Sequence, residues 1–148
     1  MKIDETDRKI IALLQEDARQ PNAAIARAIG VSEATVRRRI KIMGDGETLA
    51  VRAIPDPNKF GLTTSAMIGI DVQPDMLDRV AAALVGRNEV GFLGVSTGRY
   101  DLLAWTIVRD LGELREFLEA FLAKVPGVRK TETLVLLDVR KRGLGRIT

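Results

Sequence analysis

The 148-residue chain contains no cysteine and no histidine. Without thiols there is no disulfide framework, no thiolate nucleophile, no zinc finger and no Cys-held cluster. Without imidazole there is no Ser-His-Asp triad, no histidine acid or base and no His-ligated metal. Aromatic residues are scarce too, at 4% of the chain with one Tyr and one Trp. Chemistry is left to carboxylates, Lys, Arg, Ser, Thr and that single Tyr. No apolar run approaches the roughly 18–20 residues a membrane span needs. The opening Met1-Lys2-Ile3-Asp4-Glu5 is charged, unlike the apolar stretch of a signal peptide. The expectation is a cytoplasmic protein without a membrane partner, with no catalytic residue, no metal and no cofactor.

What is present is ordinary globular composition, 46% hydrophobic and 29% charged, in a length that suits one domain or two small ones. Lys and Arg number 23 against 20 Asp and Glu, a net charge of +3. So small a sum identifies no partner, and the placement of the charge matters more. The chain changes grain near residue 60. Up to Gly46 apolar residues recur at helical spacing, whereas beyond Ser65 short aliphatic runs alternate with two helical patterns. Between them lies Pro55-Asp56-Pro57-Asn58-Lys59-Phe60-Gly61, rich in residues that interrupt regular structure. Two domains are expected, residues 1–50 and 65–148, joined by a linker at 51–64.

In the first domain Asp4 is placed to cap a helix, with Asp7 three residues on completing a capping-box-like pair. Ile3, Ile10, Leu13 and Leu14 supply its apolar face, and Pro21 bars its continuation. A second helix, Asn22 to Ile29, buries Ile25, Ala26 and Ile29 and stops at Gly30. Ser32 caps a third, running to about Met43 with Val36, Ile40 and Met43 on one face. Helix, short helix, a turn containing Gly, then a capped helix is helix-turn-helix spacing.

At about 100° per residue, Ala34, Arg37, Arg38 and Lys41 project away from the buried stripe of the third helix. With Arg39 nearby, this reads as a basic surface helix with no compensating acid inside it, suited to DNA phosphates. Ser32, Glu33, Ala34 and Thr35 occupy the leading turn, the part of a recognition helix that meets base edges. The bland alternative is a solvated charged face; the helix-turn-helix frame tips the balance to double-stranded DNA.

The second domain reads strand-helix-strand-strand-helix-strand. Strands are expected at Ala66 to Val72, Val90 to Ser96, Leu102 to Val108 and Val128 to Val139. One helix starts at Pro74 and carries Met76, Leu77, Val80, Ala81 and Leu84. Asp110 caps the other, with Leu114, Phe117, Leu118, Phe121 and Leu122 inside. The order βαββαβ is the ferredoxin-like, split-βαβ arrangement, so the fold class is α+β with a winged-helix-like head. Helices on one face leave the other face of the sheet bare. The apolar run Leu134-Val135-Leu136-Leu137 therefore calls for a second copy to cover it. Thr97-Gly98-Arg99-Tyr100-Asp101 reads as a hairpin turn in which Gly98 supplies positive φ. Tyr100 and Trp105 read as packing residues.

These stretches, taken in order, resemble the Lrp/AsnC family of transcription regulators. The similar segments are Ile3-Asp4-x-x-Asp7-x-x-Ile10-Ile11, Leu14-Gln15-Glu16-Asp17-Ala18-Arg19, Asn22-Ala23-Ala24-Ile25-Ala26 and Gly30-Val31-Ser32. Thr35-Val36-Arg37-Arg38-Arg39-Ile40 follows, then Asp56-Pro57-Asn58-Lys59-Phe60-Gly61, Thr97-Gly98-Arg99-Tyr100-Asp101 and Pro126-Gly127-Val128-x-x-Thr131-x-Thr133. Glu47 stands where most members have Gly, with Gly44 and Gly46 nearby to make the turn. Pro21 replaces a Ser or Thr cap, and Arg99 a commonly acidic or small residue. The resemblance implies sequence-specific DNA binding by Ser32, Glu33, Ala34, Thr35, Arg37, Arg38 and Lys41. It implies homodimers assembling into tetramers or octamers, and an amino-acid effector held near Gly98, Arg99, Tyr100, Asp101, Thr131 and Thr133. Asp101 could accept from the ammonium of such a zwitterion, while Arg99 or backbone N–H groups near Gly98 meet its carboxylate. The competing readings are an architectural DNA-compacting protein without effector and, remotely, a sirohaem-decarboxylase-like enzyme, which the lack of His disfavours.

Overall fold

The computed structural model describes residues 2–141. They fall into two compact units, one taking in the chain up to Ile54 and the other Pro55–Lys141. Residues 142–148, at the end of the second domain expected from the sequence, lie outside the described residues.

The first unit is three helices: α1 (Glu5–Glu16), α2 (Asn22–Ile29) and α3 (Glu33–Asp45). The α1 start is a reciprocal cap. The Asp7 amide donates to Asp4 Oδ1 at 2.9 Å, and the Asp4 amide donates to Asp7 Oδ2 at 3.0 Å. Two donors that the first turn would otherwise leave open are thereby satisfied. Gly30 ends α2 in the left-handed region at φ 74°, and Ser32 Oγ accepts from the Thr35 amide at 3.1 Å to start α3. Ile10, Leu14, Ile25, Ala26, Val36 and Met43 form the core, with Ile3, Leu13, Ile29 and Ile40 packed against it. The spacing of apolar residues thus decides which face of each helix turns inward.

The exit from α3 departs from the expectation. The helix runs two residues past Met43, and the left-handed position is Glu47, at φ 54°, not Gly44 or Gly46. The Thr48 and Leu49 amides both donate to the Met43 carbonyl, at 2.8 and 3.1 Å. Those bonds close the helix end and hold Glu47 in a conformation that costs an L-residue about 1 kcal/mol or more.

In the second unit, a 3-10 turn at Pro57–Phe60 precedes β1 (Thr64–Val72), α4 (Leu77–Val85), β2 (Val90–Val95), β3 (Leu102–Val108), α5 (Leu111–Glu116) and β4 (Val128–Leu136). A π turn at Phe117–Phe121 and a 3-10 turn at Leu122–Lys124 extend α5. The sheet order is β2-β3-β1-β4, antiparallel throughout, as the ferredoxin-like order requires. Four boundaries shift: β1 begins two residues early at Thr64, β2 stops one residue short at Val95, and two larger changes follow. α4 begins at Leu77 because Gln73 to Met76 first forms a turn, the Met76 amide donating to the Gln73 carbonyl at 2.9 Å. β4 ends at Leu136, and Leu137 beyond it is fully exposed.

Alternation along the strands makes two unlike faces. Ile68, Ile70 and Val72 of β1 and Leu102 and Ala104 of β3 pack beneath Val80, Leu84, Phe117 and Leu122. Each fully buried aliphatic side chain there contributes about 1.5–3 kcal/mol. The opposite face carries Met67, Leu103, Trp105, Ile107, Phe92 and Leu134 by register. Phe92 and Leu134 are 52% and 58% exposed there. That face has no helix over it among the described residues.

Candidate nucleic-acid interface and effector loop

On α3, Val36 and Met43 are buried and Ile40 is half-buried, while Ser32, Glu33, Ala34, Arg37, Arg38 and Lys41 are exposed. Thr35 is half-buried, its hydroxyl 2.8 Å from that of Ser32. Every residue assigned to DNA in the leading turn therefore lies on or beside the solvent face, although Ser32 and Thr35 also serve the cap.

Contrary to expectation, the basic run has compensating acids within α3 itself. Arg37 Nη2 donates to Glu33 Oε1 at 2.6 Å and Lys41 Nζ to Asp45 Oδ2 at 2.6 Å, both pairs one helical turn apart. The Asp45 carboxylate raises the Lys41 pKa. Helical geometry puts i and i+4 side by side, so the acids inside the helix were placed to pair. Arg38 has no ion pair or hydrogen bond among the described residues.

Arg39 does not join the surface row. Its Nη1 donates to Asp4 Oδ2 at 2.7 Å and to Asp7 Oδ1 at 2.9 Å. The Arg39 and Asp7 side chains are only 24% and 5% exposed, and Arg39 Nε is buried without a partner among the described residues. The Asp7 amide first, and the Arg39 guanidinium second, hold the Asp4 carboxyl below its ordinary value. Bonds to Asp7 and then Asp4 hold Arg39 more firmly protonated. This ion cluster ties the middle of α3 to the start of α1, fixing the angle at which the exposed face is presented.

The loop between β2 and β3 is closed by the Ser96 amide donating to the Asp101 carbonyl at 2.9 Å. Gly98 does not supply positive φ. The left-handed glycines among the described residues are Gly30, Gly61 and Gly127. The Gly98 amide instead donates to Ser96 Oγ at 3.2 Å, a side-chain turn that needs no special backbone. Asp101 Oδ2 accepts from the Val72 amide at 2.7 Å, which anchors the loop to the end of β1.

Tyr100 lays its ring over Gly69, so close that a Cβ there would meet ring carbons at 2.5–2.7 Å. Its hydroxyl donates to Glu132. The bond to that carboxylate, with burial second, raises the phenol pKa. Arg99 pairs with the same Glu132 at 3.0 Å and sits 5.3 Å from the Tyr100 ring centroid. Tyr100 is thus a packing residue, as is half-buried Trp105, whose buried Nε1 has no partner among the described residues.

Arg99 and Tyr100 come together with Glu132, and not with Thr131 and Thr133. The threonines face Ile70 and Ile68 across the β1–β4 ladder, whereas Glu132 faces Gly69, so they lie on the helix side and Glu132 on the open side. Glu132 is the residue that sequence reasoning missed. The period-2 alternation of β4 was the available signal, since it separates Glu132 from its two neighbours.

A capped three-helix unit with an exposed cationic helix, followed along the chain by a βαββαβ unit, is the make-up of a helix-turn-helix regulator with a ligand-binding domain. Residues 3–43 match the AsnC-type helix-turn-helix domain and residues 65–144 the Lrp/AsnC ligand binding domain. The chain belongs to the Lrp/AsnC family of transcriptional regulators. It is 40% identical over 146 residues to an uncharacterized HTH-type transcriptional regulator of Pyrococcus furiosus, covering 98% of this chain and 99% of that one. AsnC of Escherichia coli superposes with a TM-score of 0.87 at 25% identity, over 97% of this chain and 98% of that one. A transcriptional regulator of Neisseria meningitidis, solved as a complex with L-Met, superposes with a TM-score of 0.85 at 25% identity, over 95% and 94%.

Proposed function

We propose that the chain is a cytoplasmic, sequence-specific regulator that lays α3 in the major groove of operator DNA as part of a dimer. The observation that carries this is the split character of α3: Val36, Ile40 and Met43 turned inward, and Arg37, Arg38 and Lys41 turned out. Phosphate neutralisation needs such a row, and the leading turn is where base edges are met. A second copy packed on the open sheet face would cover Phe92, Leu134 and the half-buried Met67 and Trp105. Dimers pair half-sites, so the operator is a rough palindrome. Residues 1–50, 51–64 and 65–148 serve as DNA-binding head, connector and assembly domain.

The loop Thr97–Asp101 is the proposed effector site, for an amino acid or a molecule of similar size. Support comes from the match to a ligand binding domain over residues 65–144 and from the similar Neisseria meningitidis regulator solved with L-Met. Gly98 and Arg99 are exposed there. Asp101 keeps one oxygen on the Val72 amide, leaving Oδ1 to meet an ammonium. Thr131 and Thr133 face the helix side of β4, away from the loop, and are left out of the proposed site. Ligation shifts the assembly equilibrium of dimers into tetramers or octamers, and through it the affinity for DNA.

The test is a gel-shift titration of duplexes recovered by binding-site selection against scrambled duplexes at fixed salt. A selective regulator favours the recovered sequence by about 10³-fold or more. Equal affinity for both duplexes would instead indicate a DNA-compacting protein.

A further inference from the structure

Glu33 is out of place for phosphate binding alone. It stands at the first position of α3, the end nearest the bases in the proposed docking, where an acid opposes a polyanion. A carboxylate there does favour the helix N-terminus, but its partner suggests more. Arg37 Nη2 donates to Glu33 Oε1 at 2.6 Å, with both side chains well exposed. That contact uses one carboxylate oxygen and one guanidinium nitrogen. Glu33 Oε2, Arg37 Nη1 and Nε, and the second N–H of Nη2 have no other partner among the described residues, so one two-donor edge of the guanidinium stays open. The first two turns of α3 thus carry an acceptor and a donor fork side by side, each already orienting the other.

The major-groove edge of a G·C pair presents guanine N7 and O6 as two adjacent acceptors, followed by the cytosine N4–H donor. An A·T pair instead places its N6–H donor between single acceptors and adds the thymine methyl. A fork beside an acceptor matches the first pattern and not the second. We infer that Glu33 and Arg37 read one G·C base pair per half-site as a unit. Arg37 gives to guanine O6 and N7, and Glu33 accepts from cytosine N4. Arg38, unpaired, is left to phosphate. This rests on the proposal that α3 enters the major groove.

Selection from random duplexes with the full chain and with E33A, E33Q, R37A and R38A tests it. The wild-type chain should recover sites holding a fixed G·C pair at one position of each half-site. E33A and R37A should lower discrimination at that position by roughly ten-fold and leave the other positions unchanged. E33Q, which keeps the size and the acceptor, should retain part of the preference. R38A should weaken all sequences alike. If E33A instead tightens binding uniformly with the sequence preference intact, Glu33 is only a helix-terminal charge and the inference is overturned. If the wild-type chain recovers no sequence at all, the underlying assignment of α3 as a sequence reader fails with it.

Discussion

Gly69→Ala isolates the contact that seats the Thr97–Asp101 loop. A Cβ at position 69 would lie 2.5, 2.6 and 2.7 Å from Tyr100 Cδ2, Cγ and Cε2. Ordinary carbon–carbon contact is about 3.5–4.0 Å, so the ring must rise by about 1 Å. Gly69 sits in the middle of β1, paired with Leu103 and Glu132 on either side, and its backbone cannot retreat. Lifting the ring draws the Tyr100 hydroxyl from Glu132 and loosens the loop. Overpacking of this kind costs about 1–3 kcal/mol. The backbone itself would favour alanine, because glycine inside a strand is worse by about 0.5–1 kcal/mol. The two effects separate in a double-mutant cycle followed by urea unfolding of the second unit. Gly69→Ala should destabilise the wild-type chain by about 1–3 kcal/mol. In a Tyr100→Ala background it should be neutral or stabilising by up to about 1 kcal/mol. An equal loss in both backgrounds would show that the Tyr100 ring does not sit on Gly69.

Glu47→Gly should stabilise the first unit by about 0.5–1 kcal/mol, because φ 54° suits glycine and strains glutamate; Glu47→Ala, measured by the same thermal melt, should bring no gain. Acid should weaken both units. The Asp7 amide and Arg39 hold Asp4 low, and the Arg109 amide and guanidinium hold Glu113 low. A depressed folded pKa contributes stability above the unfolded value that is lost as pH falls through the folded one, so the loss should set in below about pH 4. Asp4→Asn, which still caps, should flatten that limb for the first unit in melts taken between neutral pH and pH 3; an unchanged acid limb would mean that Asp4 is not held.

Much of this was legible because it is local. Asp4 and Asp7, Gly30, Ser32 and Asp110 sit at fixed offsets from the turns they cap, and helical spacing selects Ile10, Val36 and Met43 for the core. Glu33 and Asp45 were equally local, since i,i+4 pairing with Arg37 and Lys41 can be counted along the chain. The rest was long-range. Arg39 meets Asp4 and Asp7 only once α3 crosses α1, so a run of three arginines conceals one that turns inward. Tyr100 reaches Glu132 only through strand register, and motif order alone groups Thr131 and Thr133 with a loop on the other side of the sheet. Gly98 looked like a positive-φ position because hairpins often need one, yet the Ser96 hydroxyl makes the turn without it.

The most direct test of the central claim is fluorescence anisotropy of a labelled operator duplex, titrated at several salt concentrations with the wild-type chain and with R38A. If α3 lies along the phosphates, R38A should weaken binding at every salt concentration. The slope of log K against log salt should become shallower by about 0.9 for each phosphate contact removed. A triple replacement of Arg37, Arg38 and Lys41 by Ala that keeps both the wild-type affinity and the wild-type slope would contradict the assignment of α3 to DNA.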